Sequence, residues 1–283
     1  SIDQIKSFVN DPWLFARIAT NHCLSDIYAM GCEPHSALAI VGLPFATKKY
    51  GRSQLKELML SCSEVLQEHK CDLMGGHSAE AEEFHFGLCI NGFIDEEDLL
   101  TKNGMNAGDI LILTKPLGTG TLLAADMRFR ASHQWMQEAL GNMEQSNREA
   151  AACFQKFGAT ACTDITGFGI AGHLLEMLTT NNTEIELNLS DIPVLSGALD
   201  TLEQKIYSSL HKDNSLAAHS VFNQEAFAQD PKYALLFDPQ TAGGLLASVP
   251  ESVAETCLTR LKESGYSQAK AIGRVSKLEA LQP

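Results

Sequence analysis

Helix-patterned and strand-patterned segments alternate along this sequence on both sides of one polar seam, and few folds accept that order. Asp11-Pro12 is a helix start, with Asp as N-cap and Pro at the first helical position. The helix carries Trp13, Ile18, Leu24, Ile27 and Met30 broadly on one face and stops at Gly31. Residues 35–43 read as a buried strand. Ser53 opens a second helix, with Leu55, Leu58, Met59, Cys62, Val65 and Leu66 inside. A short strand at 71–74 ends in Gly75-Gly76, and Phe84, Phe86, Leu88 and Ile90 mark a strand of period two. Then comes the seam, Glu96-Glu97-Asp98 and Thr101-Lys102-Asn103-Gly104, which puts a boundary near 104–107 and domains at 1–105 and 106–283.

Beyond the seam, the expected order opens with a strand at 109–114 and a turn at Lys115–Gly118. Helical stretches follow at about 119–129, 132–141 and 145–157. A strand near 159–163, a Gly-rich turn, a helix through Met177 and a strand near 184–189 come next. Residues 205–234 are polar and irregular, before strand 245–249, helix 252–264 and strand 269–275. The class is α/β or α+β in two domains, and 283 residues are enough for two medium-sized ones.

Charge narrows the partners. Twenty-one basic against 35 acidic residues leave −14, which repels nucleic acid and anionic lipid surfaces. A polyanion such as ATP would need cations to neutralise it at such a protein. No apolar run reaches 18 residues, and the first twenty residues hold no signal-peptide core, so a cytoplasmic protein is expected. The eight cysteines form no C-x-x-C pair, which argues against zinc and predicts reduced thiols. His69, His85, His133 and His219 read as surface or half-buried residues. The chain opens on Ser1 rather than Met and reads as part of something longer.

Four stretches could carry chemistry. Thr163-Asp164-Ile165-Thr166-Gly167-Phe168-Gly169, with Gly172-His173, follows a strand and opens a helix. Asp164 there could hold Mg²⁺ against phosphate oxygens, or the glycines could serve only a tight connection. Asp26, in Ser25-Asp-Ile-Tyr-Ala-Met-Gly31, is either an exposed helix acid or a metal ligand, and Asp3 on a short strand carries the same two readings. Gly75-Gly76-His77-Ser78 is a plain turn or a backbone cradle for a nucleotide, with Ser78 as donor. Asp238-Pro-Gln-Thr-Ala-Gly-Gly-Leu-Leu246 reads first as a structural turn.

Together with Thr114-Lys-Pro-Leu-Gly-Thr-Gly120, these stretches resemble, in order and spacing, the selenophosphate synthetase (selenide, water dikinase) family of the aminoimidazole ribonucleotide synthetase-like superfamily. The resemblance implies two α/β domains, the N-terminal one contributing half of a β-barrel shared in a homodimer. It implies ATP, selenide and water reacting to selenophosphate, AMP and phosphate. Mg²⁺ would bridge the phosphates to Asp3, Asp26 and Asp164. Asp3, Asp26 and Gly75, Gly76, His77 and Ser78 would bind ATP, the turn reaching it across the dimer. The family's Cys or selenocysteine and its Lys would lie upstream of Ser1, so no residue here takes their role and this stretch alone is expected to be inactive. A fusion behind a flavin-dependent oxidoreductase domain would also fit such a start. His22 stands where the family carries Asn, and Cys32 where it carries Gly. Two other readings stay open: a non-catalytic nucleotide-binding or dimerising module, and another ATP-dependent synthetase or kinase of the superfamily.

Overall fold

The computed structural model describes residues 1–178 and 183–278, which form two compact units. The first comprises Ser1–Leu99 and Met143–Asn147, the second Leu100–Asn142 and Arg148 onward.

The first unit holds β1 (Ile2–Lys6), α1 (Pro12–Ala29), β2 (Glu33–Pro44), α2 (Lys48–Glu68), β3 (Asp72–Ala81) and β4 (His85–Phe93). Its sheet runs β1-β4-β2-β3, with β2 and β3 parallel and the other neighbours antiparallel. The parallel pair needs a crossover, which α2 supplies. Asp11 caps α1 as expected, its side chain accepting from the N–H groups of Trp13 and Leu14 at 2.9 and 3.2 Å. Alternate strand residues Ala37, Ala39 and Val41 on β2, and Phe86, Leu88 and Ile90 on β4, are buried with Phe15, Ile18 and Leu24 of α1. The intervening residues Leu38 and Phe93 are 45% and 72% exposed, so the sheet carries apolar side chains on both faces.

Local expectations here needed three corrections. The helix α2 begins at Lys48, capped by Thr47, because its first turn (Lys-Lys-Tyr-Gly-Arg) is polar and shows no apolar period. The stretch from Gly75 to Ser78 is not a turn at a strand end but the middle of β3, paired with Leu38 to Val41 of β2. His69 is buried, not at the surface, and its Nδ1 lies 2.7 Å from the Tyr28 hydroxyl.

The second unit opens with β5 (Ile110–Leu113), α3 (Thr119–Asp126), α4 (His133–Glu144), α5 (Arg148–Lys156), β6 (Ala161–Asp164), α6 (Gly169–Leu178) and β7 (Thr183–Leu187). It continues with α7 (Ala198–Glu203), α8 (His211–Asn214), α9 (Gln224–Phe227), α10 (Pro231–Leu235), β8 (Leu245–Val249), α11 (Glu251–Glu263) and β9 (Lys270–Lys277). The last residues of α4 and the turn after it pack with the first unit instead. There Asn21 donates to Glu144 O at 2.8 Å and Asn147 donates to Ser25 Oγ at 2.9 Å. The sheet order is β6-β8-β5-β9-β7, antiparallel throughout, so this half is of the α+β kind. Its core joins Leu111, Leu113, Ile165, Ile170, Leu246 and Ile272. The segment expected to be irregular contains the short helices α8, α9 and α10. The eight cysteines are free thiols, and among the described residues no helix is long and apolar enough to cross a membrane.

Candidate active site

In the first unit, the two acids singled out in the sequence sit on neighbouring elements. Asp3 lies on β1, and His22 Nε2 on α1 stands 2.8 Å from its Oδ2. Gln4 N–H donates to Asp3 Oδ1 at 2.6 Å. Burial alone would raise the Asp3 pKa. The His22 hydrogen bond and charge, with the Gln4 N–H, outweigh it and hold the carboxyl below its ordinary range. Asp26 follows His22 by four residues of helix, about 6 Å along the axis, and accepts from the Ser1 hydroxyl. His22 therefore fixes one carboxylate while its own helix presents the next.

Gly75 to Ser78 run along the edge of the sheet, exposed, with β2 on one side only. A Cβ at Gly76 would lie 2.1 Å from Ala39 O, so the two backbones approach too closely for any side chain there. We expect Gly76→Val to force β3 off β2 at a cost of roughly 2–4 kcal/mol. Thermal unfolding and nucleotide-analogue titration of the variant should both show the loss.

In the second unit, Asp164 ends β6, only 6% exposed, paired across to Leu245 of β8. The loop after it is pinned by His173 of α6, whose Nε2 accepts from Thr166 N–H at 3.0 Å. Burial lowers the His173 pKa to about 4; Glu176 opposes that and Lys102 adds to it. The imidazole is thus neutral, with its proton on Nδ1, the side facing Glu176 Oε2 at 3.7 Å. Its ring ¹⁵N shifts should stay constant from pH 5.5 to 8.5; a titration in that range would mean that Nε2 does not hold the Thr166 N–H.

Lys115, just beyond β5, is 1% exposed and donates to Asn142 O and Ala242 O, each at 3.1 Å. Burial lowers its pKa to about 7, against the charge of Asp164, which raises it. The Asp238–Gly244 loop joins these parts. Gln240 Oε1 accepts from Gly118 N–H (2.9 Å), Thr119 N–H (3.1 Å) and the Thr119 hydroxyl (3.1 Å). Asp238 Oδ2 accepts from Gly120 N–H at 3.1 Å and Gln240 Nε2 at 3.0 Å. Together they cap the N-terminus of α3 in place of water. The same loop ties down the Asp164 loop, through Gln240 N–H to Thr166 O and Ile165 N–H to Gly244 O, both 2.9 Å. A Cβ at Gly244 would meet Lys115 N at 2.6 Å, so this joint tolerates no side chain.

Comparison with known proteins fits this arrangement. Residues 1–94 match the N-terminal domain model, and residues 106–282 the C-terminal domain model, of AIR synthase related proteins. A selenide, water dikinase of Pelobacter propionicus is 36% identical over 276 residues, 97% of this chain and 78% of the relative. One from Clostridioides difficile is 34% identical over 280 residues, with the same coverage. The chain belongs to the selenide, water dikinase family. Thiamine monophosphate kinase of Aquifex aeolicus shares the fold at TM-score 0.68 and 18% identity, over 99% of this chain and 84% of that one. Hydrogenase maturation protein HypE, solved in complex with ATP, shares it at TM-score 0.72 and 14% identity, over 98% and 76%.

For a selenide, water dikinase the donor chemistry is informative. Among the described residues no three His, Cys, Asp or Glu side chains gather as an all-protein metal cage would require. Mg²⁺ commonly takes only one or two carboxylates, filling its octahedron with water and phosphate oxygens. Asp3 and Asp26 are oxygen donors of that kind on β1 and α1, with Asp3 already holding His22 and the Gln4 N–H, and Asp26 the Ser1 hydroxyl. The sequence reading missed Lys115, Gln240 and Thr119 as parts of the site's support. Their signal lay in the two motifs that hold them, Thr114–Gly120 and Asp238–Leu246, but their pairing spans more than 115 residues of chain.

Proposed function

We propose that this protein makes selenophosphate from ATP, selenide and water and releases AMP and orthophosphate. The observation that carries the reading is its likeness, 32–36% identical over 93–98% of the chain, to proteins named selenide, water dikinase. Phosphoryl transfer asks the protein mainly for positioning and charge neutralisation, so support residues matter more than many reactive side chains.

Mg²⁺, when bound, neutralises the phosphate oxygens that a chain of net charge −14 would otherwise repel. Asp3 and Asp26 would hold it in the first unit, and Asp164 supplies a carboxylate of the same kind in the second. His22 keeps Asp3 ionised and aimed. Gly75 and Gly76 offer side-chain-free backbone on a sheet edge, which suits close approach of a nucleotide, and His77 and Ser78 follow on the same exposed stretch. Neutral His173 and the Asp238–Gly244 loop keep the Asp164 loop in one conformation.

The open edge of β3 and the exposed Ile2, Leu38, Met74 and Phe93 (65%, 45%, 69% and 72%) support a homodimer through this sheet. Sedimentation of the full-length protein should give a dimer, and Leu38→Lys with Phe93→Lys should give a monomer; a monomeric parent protein would refute the dimer. Product analysis tests the activity. AMP and orthophosphate in equal amounts support it, whereas ADP as the main product assigns the protein to kinase chemistry of the superfamily.

A further inference from the structure

We propose that Cys153 and Cys257 form a redox-responsive dithiol that closes to a disulfide when the protein meets a hydroperoxide. Cys153 lies on α5 and Cys257 on α11, two helices packed against each other, and the two sulfurs are 3.9 Å apart. Cys153 Sγ also lies 3.7 Å from Cys257 O. A disulfide needs sulfurs about 2.05 Å apart, so closure asks for a shift of roughly 2 Å, which side-chain rotation can share between both residues. Cys153 keeps 5% of its surface exposed and Cys257 none, which makes Cys153 the sulfur a small oxidant reaches first. The hydrogen bond from the Cys257 thiol, opposed by burial and aided by the charges of Arg260 and Lys156, brings the Cys153 thiol below its ordinary range. The thiolate is the nucleophilic form.

The chemistry balances in two steps. The Cys153 thiolate attacks one peroxide oxygen; an S–O bond forms, the O–O bond breaks, and the departing hydroxide takes up a proton as water. The Cys257 sulfur then attacks the sulfenic sulfur; the S–S bond forms, the S–O bond breaks, and the leaving hydroxide takes the Cys257 proton as a second water. Two thiols are oxidised by two electrons and one peroxide is reduced. The closed bond would tie α5 to α11 across 104 positions of chain, a long loop of the kind that most restricts the unfolded ensemble.

The test treats the reduced full-length protein with hydrogen peroxide at one to ten equivalents, alkylates the remaining thiols and maps the peptides by mass spectrometry. The expected result is a cross-linked peptide pair containing Cys153 and Cys257, 2 Da lighter than the reduced pair and recovered by dithiothreitol. The midpoint of thermal unfolding should rise by about 5–10 °C on oxidation. In Cys257→Ser the cross-link should vanish and a sulfenic acid at Cys153 should be trapped by dimedone. Full alkylation of both Cys153 and Cys257 after ten equivalents of peroxide would overturn the proposal. The wild-type peptide map decides the matter even if the variant fails to fold.

Discussion

Asp164→Asn should lower selenide-dependent AMP release by at least a hundredfold while the protein stays folded. The substitution keeps shape and removes one charge at the buried end of β6, where the residue is 6% exposed. Groups that meet developing or fixed phosphate charge typically carry factors of about 10²–10³ in rate. The same change withdraws the negative charge that supports the Lys115 ammonium, so Lys115 should lose its proton more easily in the variant. Rates measured against Mg²⁺ concentration separate the two roles open to Asp164. Activity within threefold of the parent protein at every Mg²⁺ concentration would remove Asp164 from the site.

Gln240→Ala should be the most destabilising single change outside the apolar core. Three buried donors, Gly118 N–H, Thr119 N–H and the Thr119 hydroxyl, lose their acceptor at once, and Asp238 loses a donor. At about 1–3 kcal/mol for each orphaned group, partly relieved by entering water, a loss of about 3–5 kcal/mol is expected. Denaturant midpoints measure it directly. A loss below about 1 kcal/mol would mean that α3 does not depend on this cap.

The neighbouring Asp238 gives that region a pH signature. Burial pushes its pKa up to about 7, with hydrogen bonds from Thr121, Gln240 and Gly120 pulling the other way. Between about pH 4, where a free Asp ionises, and about pH 7, the folded form holds a proton that the unfolded chain has released. Stability from this group is therefore greatest below about pH 4 and declines as pH rises to about 7, by on the order of a few kcal/mol. Asp238→Asn should remove that decline, so the stability difference between parent and variant should vary over this window and level off above it.

The fold was legible where the hydrophobic period was strong. The Asp-Pro start of α1, the period-two strand β4 and the position of Asp164 at the end of β6 follow from local pattern. The α/β or α+β reading held: the first unit's sheet mixes one parallel pair with antiparallel neighbours, and the second unit's sheet is antiparallel throughout. Other features left no local trace. Gly75 to Ser78 lack the apolar alternation that marks a strand, so their pairing with β2 shows only in three dimensions. His69 is buried because Tyr28, 41 residues earlier, meets its ring. His22, which departs from the family's Asn, looked like a loss in the sequence. Its imidazole in fact sits against Asp3 at 2.8 Å, a partner a carboxylate on β1 can have only once β1 packs on α1. Lys115 looked like part of a turn, and only the tertiary fold encloses it.

Selenophosphate formation is tested most directly by phosphorus-31 spectroscopy of the full-length protein with ATP, Mg²⁺ and ⁷⁷Se-enriched selenide under anaerobic conditions. A new phosphorus resonance split by selenium is expected, rising with AMP and orthophosphate and absent when selenide is left out. ATP turnover that proceeds unchanged without selenide, or a product set of ADP with no phosphorus–selenium coupling, would contradict selenophosphate formation.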